Sequence, residues 1–279
     1  MPRALPVLVM IVVALAGRAA AAQPGAAPRP PTSPRIVHAP TAWLQPARQL
    51  HVAFGTSHRL APSASVAFGV GGVAEVDVEL TDRLVACPGC GEEREATNLF
   101  AATALFKMGL ATSAARDWRL GAALGFRRTI ATRAVAAGGR DAELAAAQLY
   151  LVGGLRWRGA AGELDVHGGA ELFDAAHGDA RIAHTAARAL RPVAGLAWTP
   201  PPYPRTSMVV DVAWAPEVKD GPPRLAWVVG WGVRYQALSW GAIELIVRQR
   251  EDEVLGDSTV MVRVAGALSL GRPLGAGLR

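Results

Sequence analysis

From Arg224 to Arg250 the chain reads RLAWVVGWGVRYQALSWGAIELIVRQR, and its first half alternates without a break. Leu225, Trp227, Val229, Trp231, Val233 and Tyr235 share one parity, against Arg224, Ala226, Val228, Gly230, Gly232, Arg234 and Gln236 on the other. A period of two is the period of a strand. After a tight turn near Ala237 to Ser239, Ile243, Leu245 and Val247 resume the apolar face while Glu244, Arg248 and Arg250 take the opposite one. A chain that repeats this hairpin along its length is restricted to antiparallel sheet, and one whole face of that sheet must be kept from water.

The repetition covers most of the sequence. From Gln49, Leu50, Val52 and Phe54 oppose His51 and Ala53. Between Ala64 and Leu80 the even positions Val66, Phe68, Val70, Ala74, Val76, Val78 and Leu80 are apolar, while Ser65, Glu75, Asp77 and Glu79 are odd. One strand of that length, at about 3.3 Å per residue, would overshoot a hydrocarbon layer even when tilted. Two strands joined by an odd-numbered turn at Gly71-Gly72 keep the parity, and that is the expected arrangement. Alternating stretches follow at 98–110, 117–128, 146–158, 163–173, 187–199, 206–215 and 259–270. The total is about twelve strands, within the range of bacterial barrels. Longer polar connections near 81–97, 129–145, 174–186, 216–223 and 251–257 alternate with shorter ones near 71–73, 111–116, 159–162, 200–205 and 237–239. Long external loops and short periplasmic turns have this asymmetry.

The N-terminus follows the order of a secretory signal: Pro2-Arg3, an apolar run from Leu5 to Gly17, then Ala19 to Ala22. Cleavage is expected after Ala22, because the run is shorter than the ~18 residues of a retained anchor helix. Residues 23–47 are rich in Pro and Ala and are expected to form a flexible lead segment, packed in the lumen or lying in the periplasm. The barrel spans 48–270 and a tail 271–279. With 51% hydrophobic residues and no later apolar run long enough for a spanning helix, the exported chain is expected to cross lipid as strands.

Formal net charge is +6, but the arginines are spread singly through the strands among Asp and Glu, a distribution that argues against a nucleic-acid surface. Cys87 and Cys90, in Cys-Pro-Gly-Cys, are expected to form a local disulfide in an oxidising compartment. Glu92 and Glu93 are their only neighbouring ligands, so no metal site is expected there. His177, Asp179 and His184 fall in one polar loop, for which a solvated loop is the favoured reading over a metal site. No cofactor is expected.

Alternation alone does not separate a membrane barrel, apolar outside, from a soluble sandwich, apolar inside. Three features favour lipid. The aromatics Trp118, Trp157, Trp198, Tyr235, Trp214 and Trp227 stand near strand ends, as interfacial girdles do. The polar face mixes charge with Gly and Ala, which suits a crowded aqueous bore, and long and short connections alternate. The phrases LFKMGL, WRLGAALGFRR, LYLVGGLRW and LRPVAGLAWTPP, with the signal and the hairpin series, resemble Gram-negative outer-membrane β-barrel proteins over about 49–270. Their order is faintly similar to barrels associated with exopolysaccharide export. The resemblance implies outer-membrane lipid and the barrel-insertion machinery as partners. The chain departs from it at the end, where GRPLGAGLR replaces the aromatic terminus that such barrels often carry.

In an all-β, transmembrane, antiparallel up-and-down barrel of this parity, Glu75, Asp77, Glu79, Glu163, Asp165, Glu171, Asp211 and Glu244 line the lumen with Lys107, Arg119, Arg127, Arg156, Arg158, Arg191, Arg234, Arg248, Arg250 and Arg263. A turn at Gly159 to Gly162 sets Arg158 opposite Glu163 and Arg156 opposite Asp165. These charges are expected to staple the wall, to line a narrow solute path, or both. Inward Gly121, Gly125, Gly195, Gly230 and Gly232 leave room or let the wall curve. No enzyme is expected. Asp165-Val166-His167 has the Asp-x-His form of omptin proteases but sits near the short-turn end, away from the rim where that family cuts. Barrel lipases use a His-x-Ser pair, whereas His51, His58 and His184 are followed two residues on by Ala53, Leu60 and Ala186. The expectation is a porin-like pore for small polar or anionic solutes. The alternative is a closed structural or accessory barrel of the envelope, linked to polysaccharide export.

Overall fold

The computed structural model describes residues 35–57, 62–85, 97–134, 142–179, 185–217, 224–251 and 254–270. The first 34 residues, with the expected signal segment, Cys87 and Cys90, most of the long connections and residues 271–279 lie outside the described residues. So do His58 and His184, while His177 and Asp179 fall at the end of a strand.

Twelve strands alternate in direction: β1 (Gln49–Ser57), β2 (Pro62–Val70), β3 (Ala74–Val85), β4 (Thr97–Ala114), β5 (Trp118–Ala134), β6 (Ala142–Gly159), β7 (Gly162–Asp179), β8 (Thr185–Thr199), β9 (Thr206–Glu217), β10 (Arg224–Leu238), β11 (Gly241–Arg250) and β12 (Thr259–Ser269). Each pairs with its chain neighbours, and β1 pairs antiparallel with β12 from Gln49↔Ser269 to Ser57↔Met261, so the sheet closes on itself. Closure gives the first and last strands each other as partners, as strands that stand in lipid require.

The two parities face opposite ways, as expected. Phe54, Phe106, Phe126, Leu151, Met208 and Val264 are exposed on the outer surface, while Glu75, Asp77, Lys107 and Asp211 are each no more than 1% exposed inside it. An apolar exterior around a buried ionic interior is the inverse of a water-soluble barrel, and the molecule is a transmembrane barrel. Two strands do meet at Gly71-Gly72. Val70 pairs with Ala74, and both glycines take positive φ, +60° and +74°, in the three-residue connection. Gly159 pairs with Gly162, placing Arg158 across from Glu163 and Arg156 across from Asp165.

Two expectations need correction. The strands are longer than their alternating apolar cores: β6 and β7 have 18 residues each. At about 3.3 Å per residue and a tilt near 40° they rise well beyond the ~25 Å apolar band. Backbone pairing continues where alternation has stopped, so the short connection expected at 111–116 shrinks to 115–117 and the long loops lose residues to the strands. Trp214 and Leu225, expected on the lipid face, lie in a cluster with Phe173 and Ala175, and Leu225 is buried there. Its neighbours down the same face, Trp227, Val229, Trp231 and Val233, keep their outward parity.

Candidate functional site: a strap in the lumen

Residues 35–48 lie inside the barrel. Arg48 holds the short-turn end, its N–H donating to the Gly69 carbonyl at 3.0 Å. From there the strap runs back through the bore to a tight loop at 36–39, closed by the bridge Arg35↔Pro40 and by Ile36 N–H donating to Ala39 O at 3.1 Å. Ile36, Val37, Ala39, Ala42 and Trp43 are all at most 3% exposed, so the described part of the lead segment is packed rather than free. A segment with no sheet ladder of its own has backbone groups that must find partners elsewhere once buried. They find them in the charged wall.

Asp211 on β9 takes the loop tip. Its Oδ2 accepts the N–H groups of Val37 at 2.9 Å, His38 at 2.5 Å and Ala39 at 2.6 Å, three successive amides cradling one carboxylate oxygen. Arg234 on β10 donates to Ile36 O at 2.9 Å, and its Nε donates to Glu244 Oε1 at 2.6 Å, while Arg263 holds the other oxygen of Glu244. At the start of the strap Arg35 meets Asp77 at 2.7 Å and Glu79 at 2.5 Å on β3. Burial alone would lower the pKa of Arg35, but Glu79 and Asp77 hold it above the ordinary arginine value. His38, by contrast, is pushed down to about 3, first by burial and then by Arg248 and Arg263.

Further along, Ala42 N–H donates to His167 Nδ1 at 3.1 Å. The His167 Nε2 lies 2.9 Å from Asp165 Oδ1, so the Asp-x-His pair faces the strap. Trp43 Nε1 donates to Asp165 at 2.8 Å and its carbonyl accepts from Lys107 Nζ at 2.8 Å. Lys107 is 3.0 Å from Glu75 Oε1, and the other oxygen of Glu75 accepts Gln45 N–H at 2.8 Å. The buried lysine and glutamate thus each have a charged partner and a backbone partner, which a desolvated ion pair requires.

The wall is cut to receive the strap. A Cβ on Gly121 would fall 2.5 Å from the Trp43 ring, on Gly195 2.9 Å from Ile36, on Gly230 2.8 Å from Val37 and on Gly69 2.5 Å from the Gln45 carbonyl. Gly125 makes room instead for Tyr150, and Gly232 lies against the backbone of β11.

Trp43 also floors an open cavity of about 760 Å³ at the short-turn mouth. Arg119 and Arg156 face each other across β5 and β6 and both stack on its ring, at 4.9 and 5.1 Å. Like charges directly opposite on neighbouring strands repel. Arg156 is compensated by Asp165 at 2.6 Å, and Arg158 meets Glu163 at 2.5 Å. The cavity lining still holds six arginines, Arg35, Arg116, Arg119, Arg156, Arg158 and Arg234, against Asp117, Glu163 and Asp165. Nearer the long loops, Glu171 is buried beside Arg191 in register, Arg191 lies 5.0 Å over the Trp214 ring, Arg248 donates to Thr259 at 3.4 Å, and Arg127 pairs in register with Gln148.

The sequence placed these charges in the bore but not their partner. The sign available was the set of inward glycines on strand after strand, together with one large aromatic, Trp43, in a segment otherwise poor in them.

No protein-family model matches the chain, and no curated protein matches it. Solved structures of similar shape include the KdgM porin, at 8% identity over 79% of this chain and 98% of that one with a TM-score of 0.40. The translocator domain of the autotransporter NalP from Neisseria meningitidis is 14% identical over 78% and 85%, with a TM-score of 0.37. Outer membrane phospholipase A from Escherichia coli is 9% identical over 80% and 93%, also at 0.37. At these identities the likeness is one of fold alone.

Proposed function

We propose that the protein is an outer-membrane barrel that passes small anionic solutes and is gated by its own N-terminal strap. The observation that carries this reading is the mouth cavity, where arginines outnumber carboxylates and converge on Trp43, a residue of the strap. A solute held there touches the part of the chain that closes the bore. Excess guanidinium in a narrow aqueous path favours anions over cations.

Planar-bilayer conductance of the full chain and of a chain lacking residues 35–47 tests it. The full chain is expected to be mostly closed with brief openings. The strapless chain is expected to be open and anion-selective, with selectivity falling when Arg119 and Arg158 are changed to Gln. The second reading is a closed accessory barrel of the envelope, favoured by how completely the strap is bonded to the wall. A strapless chain that folds yet conducts no better than bare bilayer would select it over the gated pore.

A further inference from the structure

The ladder between β8 and β9 has only five rungs, Ala194↔Val212 to Trp198↔Met208, although the strands themselves run for 15 and 12 residues. At about 3.3 Å per residue and a tilt near 40°, five rungs account for about 13 Å of height against an apolar band of ~25 Å. The strands therefore part within the hydrocarbon, in its long-loop half. Proline explains the lapse: Pro192 on β8 and Pro216 on β9 have no N–H to give to a ladder.

Above the parting, β9 and β10 do not stay in line with the wall. Trp214 and Leu225 have the outward parity of Val210, Val212, Trp227 and Val229. Yet Leu225 is buried in one cluster with Phe173 and Ala175, and Trp214 and Ala189 pack against that cluster; Phe173, Ala175 and Ala189 have the inward parity of β7 and β8. Outward residues of one strand pair touch inward residues of the other only if β9 and β10, around Trp214 and Leu225, lie on the lumen side of β8. Trp214 fastens the overlap. Its Nε1 donates to Pro192 O at 2.7 Å and Arg191, just inside, covers its ring at 5.0 Å. A single indole N–H thus stands in for a missing length of ladder, at a depth where lipid offers no other donor.

We propose that this overlap is a lateral portal, latched by Trp214, through which a single-chain anionic amphiphile moves between the bilayer and the upper lumen. On the short-turn side of the outward Arg188–Asp174 ion pair, at 2.8 Å, the lips carry Leu190, Pro192, Val193, Ala213 and Trp214, which suit a hydrocarbon tail. Arg191 stands on the inner side, in register with Glu171 and over the Trp214 ring, where a carboxylate or phosphate head would arrive and compete with Glu171 for the guanidinium. The portal is separate from the strap-gated path and does not depend on that path conducting.

The test uses the full chain with Cys87 and Cys90 changed to Ser, in lipid nanodiscs, and a long-chain fatty acid bearing a diazirine on its tail. Labelled residues are mapped by mass spectrometry. In the reduced Val193→Cys/Ala213→Cys variant, whose two sites are where the next rung beyond Ala194↔Val212 would fall, label is expected on the inward residues Phe173, Ala175 and Ala189. It is also expected on the outward Leu172 and Leu190. Oxidation of the pair is expected to cut inward labelling at least tenfold, leaving the outward residues unchanged, and reduction to restore it. Trp214→Ala is expected to raise inward labelling. Equal inward labelling with the pair oxidised or reduced would overturn the portal. So would inward residues that stay unlabelled in both the reduced pair and Trp214→Ala.

Discussion

Asp211→Asn isolates what one wall residue contributes to the closed state. The carboxylate oxygen accepts three backbone N–H groups at 2.5 to 2.9 Å, so the variant keeps shape and volume and removes only charge. Charge-assisted bonds are worth ~1.5–3 kcal/mol and neutral ones ~0.5–1.5, a loss of about 1 kcal/mol per bond and about 3 kcal/mol for the three. At about 1.4 kcal/mol per tenfold, strap release should become roughly a hundredfold more frequent. Ala39 is 1% exposed at the loop tip, so Ala39→Cys with Cys87 and Cys90 changed to Ser reports release as maleimide labelling. Labelling of the Asp211→Asn chain is expected to be faster by about that factor, with barrel heat-stability in detergent nearly unchanged. Labelling within twofold of the parent would show that the three amides do not rely on this carboxylate, and the account of the strap as wall-bound would fail.

Gly121→Leu should expel Trp43, since even a Cβ there comes within 2.5 Å of the ring, and should increase conductance of a folded barrel. Lys107→Met leaves Glu75 buried without its partner, a loss of about 3–5 kcal/mol, expected as a lowered unfolding midpoint in urea. Acid should release the strap. The folded pKa of His38, lowered to about 3 from 6.5, means that its contribution is complete above pH 6.5 and lost as pH falls toward 3. That amounts to about 1.4 kcal/mol per pH unit. The groups facing it are Arg248, Arg263, Glu79 and Arg35, and the cations oppose its protonation. Conductance is therefore expected to rise as pH falls from about 6.5 to about 4.5 in the parent and to stay level in His38→Gln.

Alternation makes the wall legible because each strand carries its own signal: the parity of Val66 to Leu80 admits one long strand or two, and a length too great for a single crossing of the hydrocarbon selects the turn at Gly71-Gly72. Register follows where a turn is short, as at Arg158 and Glu163. The strap is not legible, because its partners are set by contacts between an aperiodic segment and several separate strands, and no local period encodes them. Asp211 reads as one more inward carboxylate whether it faces water or three amides. Leu225 fails for a related reason. Its parity is regular, but the hairpin that carries it leaves the plane of the wall, and the sign of that departure is a proline on each of two facing strands, Pro192 and Pro216.

The bond from Arg234 to Ile36 O joins residues 198 positions apart. The strap is the first of the described segments to be made, whereas the last strands that grip it are among the final ones. Such distant pairings are slow to form. The sheet must either curl around a thread already laid down or finish closing and then admit that thread through the short-turn mouth. In the first case the strap is a mandrel on which the cylinder is wound, and chains deprived of it would be slow to reach the membrane-inserted form, whatever their final stability.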